Sequence, residues 1–378
     1  MNLKIGILTP HSNALPTMGR DFIDGLEMAL ANTPVELFVE GIGIGADMKQ
    51  IIASVQKLQN QHRVHIITGL LGHHLIGQLL GMMENLGSLM LYSDLGARLP
   101  IGLKKTPTVF CNSFDLCLSA FLSAKCMIAD GHKQIAVSSC YYEAGYGFTQ
   151  ALEKGLYGSG GEFAGHFITP HIPRENEAEI MNQFMESTKP SAIYAQYSGI
   201  FAREHASFLS QNNISGQYPL YVSPFAVENS LLNDFPGIFD DTRCVNPWMV
   251  EDENKANLQF VAGYTGLYDR QPSIFSLLGY ENGKALATMA NSVSKYTVAE
   301  LKKALETINF DSPRGTFGFH PDTHRTSFGQ SMWKIISENG TYKKHKMMQF
   351  ENDPALTLEW MNMENMPVGG WFNAYLCQ

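Results

Sequence analysis

No apolar run in this sequence is longer than a β-strand needs, which excludes a membrane-spanning helix of about 20 residues. Positive charge is in deficit: 27 Lys and Arg stand against 36 Asp and Glu, a formal net charge of −9 at pH 7. The basic residues fall singly or in pairs, so no stripe is available to meet a nucleic-acid backbone or an anionic membrane surface. Small molecules or proteins are the expected partners, with no nucleic acid and no membrane insertion. Cysteine is sparse as well. Cys111, Cys117, Cys126, Cys140, Cys244 and Cys377 are irregularly spaced, with no C-x-x-C pair, which argues against a zinc or thioredoxin-like site. Most lie in apolar surroundings and read as small core residues, consistent with a reducing compartment.

Catalytic signatures are also missing: the sequence has no G-x-S-x-G elbow, no P-loop and no H-E-x-x-H helix. "GIGIG" at 41–45 follows a strand but lacks the third glycine of a dinucleotide fingerprint, so it is expected to be a turn. "HPDTH" spaces two histidines four apart, but its proline denies it the helix that a zinc pair needs, and a β-turn is expected. Neither a cofactor nor a metal is expected. The first residues, "MNLKIGILTP", enter a strand without the basic and apolar regions of a secretion signal. The expected location is the cytoplasm if Met1 is the native start, or beyond the membrane if a signal peptide was removed.

What is present is an ordinary globular composition in 378 residues, 44% hydrophobic and 17% charged, enough for two cores. The first part alternates strands and amphipathic helices. "LKIGILT", "VELFVEG", "VHIITG" and "LMLYSD" read as strands. Between them run helices carrying Met18, Phe22, Leu26 and Leu30, then Met48, Ile51, Ile52, Val55 and Leu58, then the segment after His74. Residues 111–130 read as a helix with Leu116, Phe121, Leu122 and Met127 on it. The pattern then restarts: strands "KQIAVSS", "GEFAGHFITP", "SAIYAQY" and "YPLYVSP" alternate with helices at 146–157, 175–187 and 199–211. Such repetition demands parallel sheets covered by helices on both faces, with right-handed crossovers. Beyond "TRCVNPWM" come helices at about 252–268, 275–293 and 297–308, and then strands joined by turns at "HPDTH" and "SENG". The segment 351–378 is aromatic and Met-rich without a clear period and is expected to pack on the surface of a lobe.

Several stretches in this order carry a resemblance: "KIGILTPHSNALPTMGRDFIDGLEMAL", "VHIITGLLGHHLIGQLLGMMENLGSLMLYSD", "GHKQIAVSSCYYEAGYGFTQALEKGLYGSGGEF", "PSIFSLLGYENGKALATMA" and "GTFGFHPDTH". They resemble the type I periplasmic-binding-protein fold, in particular ABC-transporter solute-binding proteins of the branched-chain amino acid (leucine/isoleucine/valine) type. The resemblance implies an α/β architecture of two doubly wound Rossmann-like lobes joined by a three-crossing hinge, with a ligand cleft between them. It places the crossings near 111–120, 244–248 and 326–330. Lobe one would hold residues 1–118 and 248–327, and lobe two residues 119–247 and 328–378. Physics agrees with such a cleft, because open parallel sheets bind ligands beyond the carboxyl ends of their strands, where helix N-termini offer unpaired N–H groups.

Candidate ligand contacts follow from that geometry. His73 and His74 begin the third helix, where the resemblance implies that the ligand carboxylate lies; the alternative is a helix cap or a place on the rim. Ser12 follows the first strand, as a contact or as part of a polar turn. Ser93, Asp94 and Gly96 follow the fourth strand, and Asp94 either binds an ammonium or caps the next segment. From lobe two come Tyr142 and Tyr146 in "YYEAGYG", then Tyr197, Ser198 and Phe225. By the resemblance, Phe225 stands where an amino acid binder offers a carboxylate. Unless Asp94 or Glu143 substitutes, a carboxylic acid, amide or aromatic ligand is implied. Trp248 at a crossing and Phe275 at a helix start either wall the cleft or belong to the core.

The function implied is a non-enzymatic binding protein that closes over a small polar or amphipathic ligand, an amino acid, organic acid or amide, and presents it to an ABC permease. A cytoplasmic sensor of the same fold that signals to a regulatory protein partner is the alternative. An enzyme on the same frame would need a nucleophile or an acid–base pair in the cleft.

Overall fold

The computed structural model describes residues 2–97, 107–338 and 341–353, with only the backbone described at 73–76. The first sheet is built from β1 (Leu3–Thr9), β2 (Val35–Gly41), β3 (Ile66–Leu70), β4 (Leu89–Asp94) and β5 (Val109–Ser113). Its order is β2-β1-β3-β4-β5, and every pairing is parallel. The helices between its strands are α1 (Met18–Leu30), α2 (Met48–Lys57) and α3 (His73–Leu86). β3 and β4 are buried along their whole length, as parallel strands covered on both faces must be.

The chain then leaves this sheet through α4 (Leu116–Ala129) and builds the second. Here β6 (Gln134–Cys140), α5 (Phe148–Gly158), β7 (Glu162–Thr169), α6 (Glu177–Thr188), β8 (Ala192–Gln196), α7 (Gly199–Gln211), β9 (Leu220–Val222), α8 (Asn229–Asp234) and β10 (Arg243–Asn246) follow in turn. A return to the first sheet brings α9 (Lys255–Tyr268), α10 (Ile274–Ser292), α11 (Val298–Glu306) and the small hairpin of β11 (Phe310–Ser312) and β12 (Gly315–Phe317). Last come β13 (Gln330–Glu338) and β14 (Thr341–Phe350), which join the second sheet antiparallel, giving the order β14-β13-β10-β9-β8-β6-β7. The architecture is therefore two doubly wound α/β units connected by three passages of chain.

The segment read as one helix over 111–130 is corrected. Residues 109–113 are a fully buried strand, paired Met90↔Val109 to Asp94↔Ser113, and the helix starts only at Leu116. Five residues, three apolar and then Asn112 and Ser113, are too few to show a period, so only the sheet partner decides the strand. Short β10, β11 and α8 likewise left no clear trace in the sequence. "GIGIG" does form a turn, with Gly45 N bonded to Ile42 O at 2.9 Å, and "HPDTH" is a turn as well. Residues 354–378, expected to pack on a lobe surface, lie outside the described residues.

The helix pair α1/α10 shows how glycine spacing sets packing. A Cβ on Gly25 would stand 2.0 Å from Ser276 O, and one on Gly279 1.9 Å from Phe22 O, so the two backbones touch directly. At the passages themselves, Arg314 is wholly buried against Glu281. Its guanidinium also donates to Ser113 O and Asn112 Oδ1, both at 2.7 Å, and Thr326 Oγ1 donates to Asn112 Oδ1 at 3.2 Å. Two passages are thus tied together by one satisfied buried ion pair, the condition under which such a pair is tolerated.

Candidate functional site

Three contacts bring the strand-end loops of the two sheets together. Ile200 N, in the first turn of α7, donates to Ala14 O in the loop after β1 at 3.1 Å. Gly147 N, just before α5, donates to Ala97 O beyond β4 at 2.9 Å. The rings of Phe225 and Phe275 lie 6.3 Å apart across the gap. Phe225 belongs to a short 3-10 turn, Pro224–Val227, after β9, and Phe275 to the first turn of α10. The space between the sheets is therefore the candidate site.

Its second-lobe wall is aromatic. Tyr142 and Tyr146 are buried and meet edge to face at 5.5 Å, Phe201 of α7 lies 5.4 Å from Tyr142, and Phe148 lies 5.8 Å from Tyr146. Tyr197 is turned into its own lobe. Its ring stacks on His205 at 3.9 Å and its hydroxyl bonds Ser138 Oγ at 2.8 Å. Ser198 donates both its N–H (2.8 Å) and its hydroxyl (2.7 Å) to Glu143 Oε1, while the Cys140 thiol donates to the other carboxylate oxygen. Glu143 is completely buried among these neutral donors. Burial pushes its carboxyl up to about 7, against the pull of the Cys140 and Ser198 bonds.

On the first-lobe side, Ser12 is buried and its hydroxyl accepts from Leu15 N at 3.2 Å, which shapes the loop after β1. Ser93 is fully buried, and its hydroxyl has no hydrogen-bond partner among the described residues. Asp94 accepts from Gly96 N at 2.8 Å and from Ser113 Oγ at 2.6 Å, and its other oxygen faces Arg325 at 3.4 Å. Its carboxylate thus has the bonds of a cap and a buried ion pair. Gly96 O in turn accepts from Cys117 N at 2.9 Å, fastening the start of α4. Trp248 donates its indole N–H to Asn257 at 2.7 Å and lies 6.1 Å from Phe260, so one side of it belongs to the core. His73 and His74 are the first residues of α3, and their side chains lie outside the described residues. The cap position before them is Gly72, with no side-chain cap bond.

Sequence reasoning missed Phe201, and it named only Trp248 among the residues lining a cavity of about 340 Å³ between the lobes, with Thr17, Asp21, Ser273 and Trp248 on the first-lobe side and Val227 and Glu228 on the other. Asp21 organises its first-lobe side, accepting from Thr17 Oγ1 at 3.0 Å and Ser273 Oγ at 2.8 Å and pairing with Arg270. The Ser273/Ser276 capping box at the start of α10 was the available signal. Among the described residues no cluster of His, Cys, Asp and Glu has the makings of a metal site, and no helix is long and apolar enough to cross a membrane.

Residues 2–336 match the family model for periplasmic binding proteins, and the chain belongs to that family. Solved structures agree in fold. An ABC transporter substrate-binding protein from Sphaerobacter thermophilus superposes with a TM-score of 0.82 at 19% identity, covering 93% of this chain and 98% of its own. A solute-binding protein of an ABC transporter from R. palustris, in complex with benzoate, gives 0.76 at 20% identity, with 94% and 99% covered. A leucine-binding protein LivK from Thermotoga maritima gives 0.68 at 15% identity, with 92% and 99% covered. No curated protein matches the sequence.

Proposed function

We propose that this protein is the solute-binding component of an ABC uptake system, closing lobe one (1–118 with 248–327) and lobe two (119–247 with 328–378) over a small aromatic or branched carboxylic acid or amide. What supports this reading is two groups of rings at the strand ends, Tyr142, Tyr146 and Phe201 together in lobe two and Phe225 facing Phe275 across the gap between the lobes. An apolar body buried there gains roughly 25 cal/mol per Å² removed from water. A plain α-amino acid fits less well at Asp94 and Glu143, whose carboxylates are already engaged, Asp94 by Arg325 and Ser113 and Glu143 by Ser198 and Cys140. The uncapped start of α3, with His73 and His74, is the favoured seat for a ligand carboxylate, since N-terminal N–H groups and the helix dipole both attract an anion. The benzoate-bound relative, and another from R. palustris in complex with 4-hydroxybenzoate, support this ligand class.

Binding without turnover is the reading for the same site. Ser139 Oγ and His166 Nε2 do meet at 2.7 Å, but Ser139 is wholly buried and the pair spans neighbouring strands β6 and β7 inside the sheet. Burial and Glu143 push the Cys140 thiol far up, which disfavours a thiolate nucleophile. A thermal-shift panel of benzoate, 4-hydroxybenzoate, benzamide, leucine and isoleucine tests the proposal. An aromatic acid at a hundred times its Kd is expected to add about 2.7 kcal/mol to the folded state. Stabilisation by leucine alone, or a new product detected by mass spectrometry, would overturn it.

A further inference from the structure

We propose that Gly199 is a positioning residue that determines whether the two lobes can close, an inference that rests on the two-lobed reading above. Gly199 opens α7 with φ +51, and a Cβ built on it would lie 2.0 Å from Ala14 O and 2.9 Å from the carbonyl carbon. Real Cβ atoms do not approach a carbonyl so closely, and a backbone carbonyl does not swing aside as a flexible side chain does. The loop that carries it is held from within, by Leu15 N on Ser12 Oγ at 3.2 Å and Met18 N on Leu15 O at 3.1 Å.

The close approach has a purpose that the next residue reveals. Ile200 N is one of the N–H groups that a helix start leaves without an internal partner, and it donates to the same Ala14 O at 3.1 Å. The N–H of Ser198, the residue that caps the helix, is held by Glu143. The positive end of α7 is therefore filled by the Glu143 carboxyl of its own lobe and a carbonyl of the opposite lobe. It serves to dock lobe on lobe, and the ligand anion is left to the start of α3. Because the Ile200–Ala14 bond joins protein to protein, it contributes to closure whatever occupies the cleft. Any side chain at 199 keeps the lobes apart at this point without touching the ligand.

The test compares Gly199→Ala, Gly199→Asn and Gly216→Ala by small-angle X-ray scattering of the full chain with no ligand added. Gly216 has φ +76 and nothing within 4 Å of a built Cβ, so its alanine carries left-handed strain without a neighbour. Asparagine tolerates the left-handed conformation better than alanine, which keeps the test sound if Gly199→Ala folds poorly. Both Gly199 variants are expected to shift to a larger radius of gyration than wild type, with Gly216→Ala unchanged. With 4-hydroxybenzoate as probe, the Gly199 variants are expected to bind at least tenfold more weakly than wild type. If wild type does not bind the probe, the scattering still decides the proposal, so a wrong ligand class and a wrong role for Gly199 give different results. Scattering from a folded Gly199 variant that matches wild type, or equal expansion in Gly216→Ala, would falsify the proposal.

Discussion

Glu143 is the residue on which pH acts most directly. Its carboxyl holds a proton to about 7 in the folded protein, against 4.5 for an unperturbed glutamate. The stability this contributes is complete below about 4.5 and is lost as pH rises through about 7. His166 and His205, which burial pushes down to about 4 and about 3, act in the opposite sense. They withhold stability as pH falls below the usual histidine value of about 6.5. The Glu143→Gln variant separates the two effects. Relative to wild type it is expected to gain on the order of 1–3 kcal/mol between pH 5 and pH 8, measured as the difference in denaturation midpoint at each pH. A difference that stays constant with pH would show that this carboxyl does not titrate as described. At this scale the sequence exposed the candidates but not their partners. Glu143 was visible as an acid in "YYEAGYG", while Ser198, which bonds it, lies 55 residues away. Asp94 left two roles open in the sequence, and Arg325, 231 residues on, supplies the ion pair.

Among the elements, α1 and α10 make the clearest case of packing decided by absence of side chain. Alanine in place of a helical glycine normally gains up to about 1 kcal/mol. At Gly279 the added Cβ would meet Phe22 O at 1.9 Å, so the helices must separate and the sign reverses. Gly279→Ala is expected to cost about 1–3 kcal/mol or more, as overpacking does, whereas Gly266→Ala in α9, with nothing within 4 Å, is expected to be neutral or stabilising. Urea denaturation of both variants checks the contrast, and equal effects would remove the packing argument. Legibility also varied by element. β1, β2 and β4 were readable to the residue: β1 and β4 are buried apolar runs, and the half-exposed edge strand β2 is a short run rich in β-branched and aromatic residues that ends at a glycine turn. β5 was not, since its identity comes from β4 on one side and from Cys111 N bonding His324 O on the other.

For the whole molecule the relevant quantity is the balance between open and closed lobes. A ligand shifts that balance only by its preference for the closed state, so a tenfold preference moves the ratio tenfold. Without ligand the wild-type chain populates both states by this account, so saturating 4-hydroxybenzoate is expected to reduce its radius of gyration by closing the open fraction, and an unchanged value in the presence of proven binding would rule out closure as the response. The alternation of strand and helix, the apolar stripes and the turn signals were determined by sequence alone, because each depends on residues within a few positions of one another. They were enough for two doubly wound α/β units. Tertiary structure alone decided which loops face each other, which acids are neutralised and which helix start docks on the opposite lobe. Those contacts join residues separated by up to hundreds of positions, such as Ala14 with Ile200 and Phe225 with Phe275, and no local pattern encodes a distance between two lobes.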